Sequence, residues 1–225
     1  MGELQPDCRT ALLVGATGLI GSRVLAELLA SACYSRVVVQ VRNPKKITLQ
    51  HPKLRILPFG IKELPEPVND FYCALGTTQK QSGKDGLVDV DRDLVVASAS
   101  LALAAGARRA SVVSAIGASV ASPFFYNRIK GEMEEALLAL NFDCCIFWQP
   151  SLLLGKRPGD FRLAERLTGR LLNSKWFGRY QALPGDRVGC AMVAATPMAQ
   201  DGIFRYKVPQ IKAFTPNYSS IRNLT

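Results

Sequence analysis

Among 225 residues the chain has one histidine, His51, and its six cysteines (8, 33, 73, 144, 145 and 190) form no CxxC pair. That scarcity excludes a His/Cys metal site and a disulfide framework. No metal is expected, and reduced thiols suit a reducing compartment. Cys144 and Cys145 lie in the apolar run FDCCIFW, where a thiol packs as a small hydrophobe. No uninterrupted apolar stretch reaches the ~18 residues of a membrane span. The opening MGELQPDCRT is polar and lacks the apolar centre of a secretory signal, so a soluble cytoplasmic protein is the expectation. A basic block is missing too. Lys and Arg outnumber Asp and Glu by 28 to 18, giving a net charge of +10, but they are scattered over RNPKK (42–46), ARR (107–109), KRP (156–158) and single positions. Scattered charge points to small anions rather than to a nucleic-acid partner, which is not expected.

What is present is a core-forming composition, 48% hydrophobic and 20% charged, in a length that suits one domain over residues 1–225. Short apolar runs alternate with longer helical patterns. TALLVGA (10–16), SRVVVQVR (35–42), LRILPF (54–59), DFYCALG (70–76), RRASVVSAIGA (108–118) and FDCCIFWQP (142–150) read as strands. Residues 19–31, 89–105 and 124–140 read as helices, the first with apolar positions returning every three or four residues. This alternation predicts an α/β fold, a doubly wound parallel sheet covered by helices on both faces. After Pro150 the pattern weakens. Residues 160–172 look helical, 188–200 look like a helix interrupted by Pro197, and TPNYSSIRNLT (215–225) is a polar tail. Residues 151–225 are expected to contribute a small substrate-side lobe.

The first strand runs into Gly15-Ala16-Thr17-Gly18-Leu19-Ile20-Gly21, with glycines at every third position. Gly15 permits a sharp exit from the strand, Gly18 lets backbone N–H groups approach a pyrophosphate, and Gly21 allows close helix–sheet packing. The helix that follows aims its positive dipole end at the anion. Placed at the first strand–helix junction, this reads as a dinucleotide cradle, with a bare strand-to-helix turn as the plain alternative. An acid often holds the ribose 2′-hydroxyl of NAD about 20 residues further on. Here VVQVRN (38–43) holds none, and Arg42 occupies the place, backed by Lys45 and Lys46. A guanidinium binds a phosphate in bidentate fashion, so the expected cofactor is NADP(H). An exposed surface arginine is the alternative.

Tyr126 and Lys130 are spaced i, i+4 on the helix 124–140, one turn apart on one face. An ammonium beside a phenol favours the phenolate, which suits proton transfer near neutral pH. Ser114 precedes the tyrosine by a loop that brings a hydroxyl back toward the phenol, where it can orient a carbonyl. A strand-terminal loop serine is the plain alternative. The helix face bearing Met133 and Leu137 reads as core or as a dimer seam.

GATGLIG, Arg42, SAIGA (114–118), YNRIK (126–130) and WQPSLLLG (148–155) together resemble the short-chain dehydrogenase/reductase superfamily. CALGTTQKQSG (73–83) and VDVDRDLVV (88–96) are similar to its atypical, NmrA- and HIV-Tat-interacting-protein-like branch. The resemblance covers residues 10–155 best. It implies a Rossmann fold, an NADP(H) cofactor and a Ser–Tyr–Lys set of Ser114, Tyr126 and Lys130. In that set tyrosine exchanges the proton, lysine binds the nicotinamide ribose and tunes the tyrosine, and serine positions the substrate oxygen. Leu75, Gly76 and Thr77 match the loop over the adenosine side, and Pro150 and Ser151 the turn near the nicotinamide. Two departures stand out: 89–105 has no evident counterpart of the family's helix asparagine, and Gln149 stands where an arginine often precedes the proline. The resemblance implies an oxidoreductase of a small carbonyl or alcohol, or a non-catalytic NADPH-sensing regulator that docks a protein partner. Relatives pair as homodimers through helices equivalent to 89–105 and 124–140, or remain monomers.

Overall fold

A computed structural model of the chain describes residues 8–77, 79–154 and 181–215. The basic cluster 156–158, the helix expected at 160–172, Gly155, Thr78 and the tail from 216 lie outside the described residues.

Seven parallel strands form one sheet in the order β3-β2-β1-β4-β5-β6-β9. They are β1 (Arg9–Val14), β2 (Tyr34–Val41), β3 (Leu54–Pro58), β4 (Asp70–Cys73), β5 (Arg109–Val113), β6 (Cys144–Trp148) and β9 (Gly202–Tyr206). The order reverses direction between β1 and β4, the switch point at which such sheets open a crevice beyond their carboxyl ends. Because both faces are covered, the central strands are apolar without alternation. Ala11, Leu13, Val37 and Val39 face α1 (Gly21–Ala30), and Leu12, Val14 and Val38 face the opposite layer of α3 (Leu94–Ala104) and α4 (Phe125–Leu138). Met133 and Leu137 are fully buried in that second layer, which places them in the core rather than in a dimer seam.

The expected helix over 89–105 is two structures. A kinked α2 (Gln79–Val88) leads into a π-helical turn, Asp89–Asp93, and only then does α3 begin. The wide turn comes from one extra residue in the helical ladder, a device found often at functional sites. The strands at 70–76, 108–118 and 142–150 are shorter than expected, each stopping where the chain turns into a loop at the sheet's carboxyl edge.

The described part of the C-terminal third is built into the main sheet. β9 extends it beyond β6, and α5 (Gly185–Ala195) lies against α1, followed by a 3-10 turn that contains Pro197. The α1–α5 contact is close because α5 carries glycines there: a Cβ on Gly185 would fall 2.5 Å from Leu19 Cγ, and one on Gly189 2.9 Å from Arg23 Cβ. β7 (Leu153–Leu154) and β8 (Leu183–Pro184) form a separate two-stranded parallel pair, and α6 (Val208–Ala213) closes the described chain.

At the amino edge of the sheet a buried polar knot ties three strands. Asp70 on β4 accepts two hydrogen bonds from Arg9 on β1 (2.7 and 2.6 Å) and one from the Tyr34 hydroxyl on β2 (2.8 Å). The Tyr34 and Tyr72 hydroxyls are 2.7 Å apart. Burial raises both phenols above their ordinary value, so they stay protonated and able to donate.

All six thiols are free, and only Cys8 and Cys33 are exposed. Burial pushes Cys73 up to about 12 and Cys144 and Cys145 up to about 11, far from the thiolate range at neutral pH. A disulfide-exchange reagent at pH 7.5 should therefore titrate two thiols quickly in the native protein and six after unfolding. Fast reaction in a variant lacking both Cys8 and Cys33 would show that the core opens on the labelling timescale.

Candidate cofactor-binding and active site

β1 ends at Val14, and Gly15 takes φ +85°, a conformation that favours glycine. The turn passes so near β4 that a Cβ on Gly15 would lie 2.5 Å from the Ala74 carbonyl carbon. A Cβ on Gly21 would lie 2.0 Å from the Gly15 oxygen, so the first turn of α1 sits directly on the strand exit. Gly18 is different. A Cβ there would meet its nearest protein atom, the Gly15 oxygen, at 3.3 Å, a contact relieved by a shift of a few tenths of an ångström. Packing demands Gly15 and Gly21, whereas a ligand pressed against the backbone best explains Gly18. The residues therefore fit a dinucleotide pyrophosphate.

The turn opens into a cavity of about 1320 Å³ at the switch point. Its described wall brings together Gly15, Ala16, Thr17, Gly18, Leu19, Ile20, Arg42, Leu75, Gly76, Thr77, Ser114, Tyr126, Lys130, Pro150 and Ser151. Of the residues singled out from the sequence for the cofactor, Gly21 and Lys45 are absent from that wall, Gly21 because it lies under the turn. Arg42 is exposed at one end, with Lys46 of a 3-10 turn (Pro44–Lys46) beside it on the same wall. The Asn43 side chain fixes that turn by accepting from the Lys45 backbone N–H (3.1 Å). Ser151 uses its hydroxyl to donate to the Gln181 carbonyl at 2.6 Å.

Tyr126 and Lys130 sit on consecutive turns of α4. Tyr126 is 39% exposed, and Lys130 only 1%. The Lys130 ammonium pairs with Asp91 Oδ1 at 2.8 Å and donates to the Val113 carbonyl at 3.4 Å. Burial alone would lower the lysine's pKa. Tyr126 and Asp91 outweigh it and hold the value above the ordinary one, so the ammonium stays charged. Asp91, fully buried in the π turn, also accepts the Thr77 backbone N–H at 2.8 Å, which ties the loop after β4 to the lysine. Sequence reasoning sought an asparagine in this stretch and passed over the acid. The signal was the DVDRD run just ahead of an apolar helix.

Ser114 does not have the free hydroxyl expected of it. Its O–H donates to Glu134 Oε1 at 2.5 Å, and both residues are buried. Glu134 also accepts from Gln149 Nε2 (2.9 Å) and from Arg205 Nε (2.8 Å), the latter on β9. Gln149, where the family often has arginine, thus serves the same carboxylate that a guanidinium reaches from Arg205. Neither Glu134 nor Arg205 was singled out from the sequence.

The NAD(P)H-binding family pattern matches residues 15–142. The chain is 34% identical over 200 residues to the Eremothecium gossypii protein FMP52, mitochondrial, covering 82% of this chain and 87% of that one. It is 34% identical over 198 residues to rat HTATIP2, covering 82% and 80%. Among solved structures, a short chain dehydrogenase from Burkholderia cenocepacia in complex with NADP superposes with a TM-score of 0.65 at 15% identity, over 99% of this chain and 100% of that one. MoeE5 in complex with UDP-glucuronic acid and NAD superposes at 0.64 with 17% identity, over 94% and 82%. The fold is thus shared by proteins holding either dinucleotide. The expectation of a cytoplasmic location is corrected by these relatives, since the FMP52 proteins are named as mitochondrial. Among the described residues no helix is long and apolar enough to cross a membrane.

The Lys130–Asp91 pair makes a stability prediction. Removing one partner strands the other charge in the interior, so Asp91→Ala should lose about 3–5 kcal/mol in urea unfolding. Asp91→Leu combined with Lys130→Met removes both charges and should regain most of that loss. Because the lysine value is raised on folding, its contribution is complete below the ordinary lysine range and fades as pH climbs through the raised value. Additive losses in the double variant would show that the pair is not coupled.

Proposed function

Because the chain belongs to the NAD(P)H-binding family, in the atypical NmrA- and HIV-Tat-interacting-protein-like branch of the short-chain dehydrogenase/reductases, we propose that it is an NADP(H)-dependent reductase or dehydrogenase of a small carbonyl or alcohol. One observation carries the reading: a buried, charged lysine lies one helical turn from a half-exposed tyrosine, in the wall of the cleft that the glycine turn opens. NADPH, when bound, supplies the hydride. The turn from Gly15 to Gly21 holds the pyrophosphate, and Arg42 with Lys46 takes the 2′-phosphate. Leu75, Gly76 and Thr77 cover the adenosine side, and Pro150 and Ser151 the nicotinamide side. The Lys130 ammonium is ion-paired with Asp91 and donates one proton to the Val113 carbonyl, which leaves donor capacity for the ribose hydroxyls. Tyr126 gives its phenolic proton to the carbonyl oxygen as the carbon is reduced, and takes it back in the reverse direction. The phenolate left behind is held by the Lys130 ammonium.

A second reading draws on Ser114, whose proton is directed to Glu134 and away from any substrate oxygen. In that reading the protein is a non-catalytic NADPH sensor that docks a protein partner according to cofactor occupancy.

The readings are separated by titrating cofactor-stripped protein with NADPH and NADH, then assaying an aldehyde and ketone panel. Arg42→Ala should weaken NADPH by about tenfold or more and leave NADH within about twofold. Tyr126→Phe should keep NADPH affinity and lower turnover by about 10²–10⁴-fold. Equal turnover in wild type and Tyr126→Phe overturns the tyrosine's role. Tight NADPH binding without wild-type turnover, together with partner recovery that responds to NADPH, selects the sensor.

A further inference from the structure

β2 is apolar from Val37 to Val41 apart from Gln40, which is 2% exposed. Its carboxamide oxygen meets no hydrogen-bond donor. Among the described residues one other buried side-chain oxygen lacks a hydrogen bond, Asp91 Oδ1, and that atom lies 2.8 Å from the Lys130 ammonium. Gln40 has no such compensation. Buried acceptors are nearly always paired, so an orphan beside a cavity marks the place of an absent donor.

The cavity in question measures about 420 Å³ and forms the Arg42 end of the cleft. Gln40, Gly15, Arg42, Lys46, Phe59 and Leu75 line it. Phe59 and Leu75 supply apolar surface suited to the face of a planar ring, and Arg42 and Lys46 supply cations suited to phosphate. The part of a ligand that fits has a flat, weakly polar body, a phosphate nearby, and an N–H aimed at Gln40. An aminopurine nucleotide has all three.

We propose that Gln40 is a specificity-determining residue of the cleft, its carboxamide oxygen accepting a hydrogen bond from the exocyclic amine of a 6-aminopurine dinucleotide. The assignment rests on the cofactor reading above and adds a selectivity to it. A 6-oxopurine would turn an oxygen toward the Gln40 oxygen, and it could be paired only by turning the buried carboxamide end for end. A site built to pair with a donor rejects an analogue that lacks it.

The test is calorimetric titration with NADPH and with its hypoxanthine analogue, in which the 6-amino group is replaced by oxygen and everything else is kept. Wild type should bind NADPH about tenfold more tightly than the analogue. Gln40→Met, which removes the acceptor with little change in volume, should bring the two within about twofold, with its fold checked by circular dichroism. Equal affinities in wild type overturn the proposal while leaving the cradle intact, and they would assign the Gln40 oxygen to a donor both ligands share, such as a ribose hydroxyl. That comparison needs no variant, so it decides the matter even if Gln40→Met fails to fold. A tenfold preference that survives in folded Gln40→Met overturns it equally. If wild type binds neither ligand, the cofactor reading itself fails and Gln40 falls with it.

Discussion

The site depends on how closely the turn after β1 approaches β4. With Gly15 at φ +85° and its α-carbon against the Ala74 carbonyl, the first strand and the fourth end side by side, and the chain between them has no room for side chains. Sheet order then does the rest. Crossovers from β1 leave toward β2 and β3 on one side, while those after β4 leave toward β5 and β6, so a crevice opens where neighbouring connections diverge. A side chain at Gly15 would push β4 away, and the loops after β4 and β5 would lose the register that sets both Thr77 and Ser114 in the wall of one cleft.

A second constraint is electrostatic. Lys130 is brought into the interior by α4, and the charge is tolerable only because the π turn puts Asp91 within 2.8 Å. Asp91 in turn holds the Thr77 backbone N–H. One carboxylate therefore links the loop that would cover the adenosine to the helix that carries the tyrosine. Gly131, immediately after Lys130, lets α4 press on the loop after β5: a Cβ there would lie 2.2 Å from the Ser119 carbonyl carbon. The lysine's depth follows from that contact as much as from its ion pair.

The parts of this arrangement that are legible in the sequence are those written at short range. Three glycines at three-residue spacing, a basic residue at the end of the second strand, and a tyrosine one turn before a lysine each declare themselves within a few positions. The strand–helix alternation to Pro150 is legible for the same reason, since apolar periodicity is local. The residues that were missed act on partners distant in the chain. Asp91 meets Lys130 across the layer between the π turn and α4, and Arg205 reaches Glu134 across 71 residues. β9 was missed as well. Its five residues GIFRY begin at a glycine, sit at the edge of the sheet and stay largely exposed, so nothing in their pattern separates an edge strand from a loop. A π turn inside a helical run has no periodicity signal of its own, and the single helix expected over 89–105 was the natural reading of an alanine-rich stretch.

The Glu134 cluster bears most directly on what the proposed reaction would ask of the cleft at a substrate oxygen. Glu134 accepts from a guanidinium, an amide and a hydroxyl, so its two oxygens act there as acceptors. The single proton of Ser114 is thus directed inward, and the serine presents lone pairs to the cleft. Asn127, on the same wall, gives its amide protons to the Ile116 and Gly117 carbonyls. Charge developing on a carbonyl oxygen needs donors preorganised toward it. In this arrangement the Tyr126 phenol is left as the side-chain donor at that point, while the serine is matched to a group that brings its own proton: the phenol itself or an alcohol. Ser114, Tyr126 and Lys130 are therefore not three equivalent contributions. In the proposed reaction Lys130 would set the charge and Tyr126 would carry the proton, while Ser114 is oriented by a carboxylate whose own position is fixed from the far edge of the sheet.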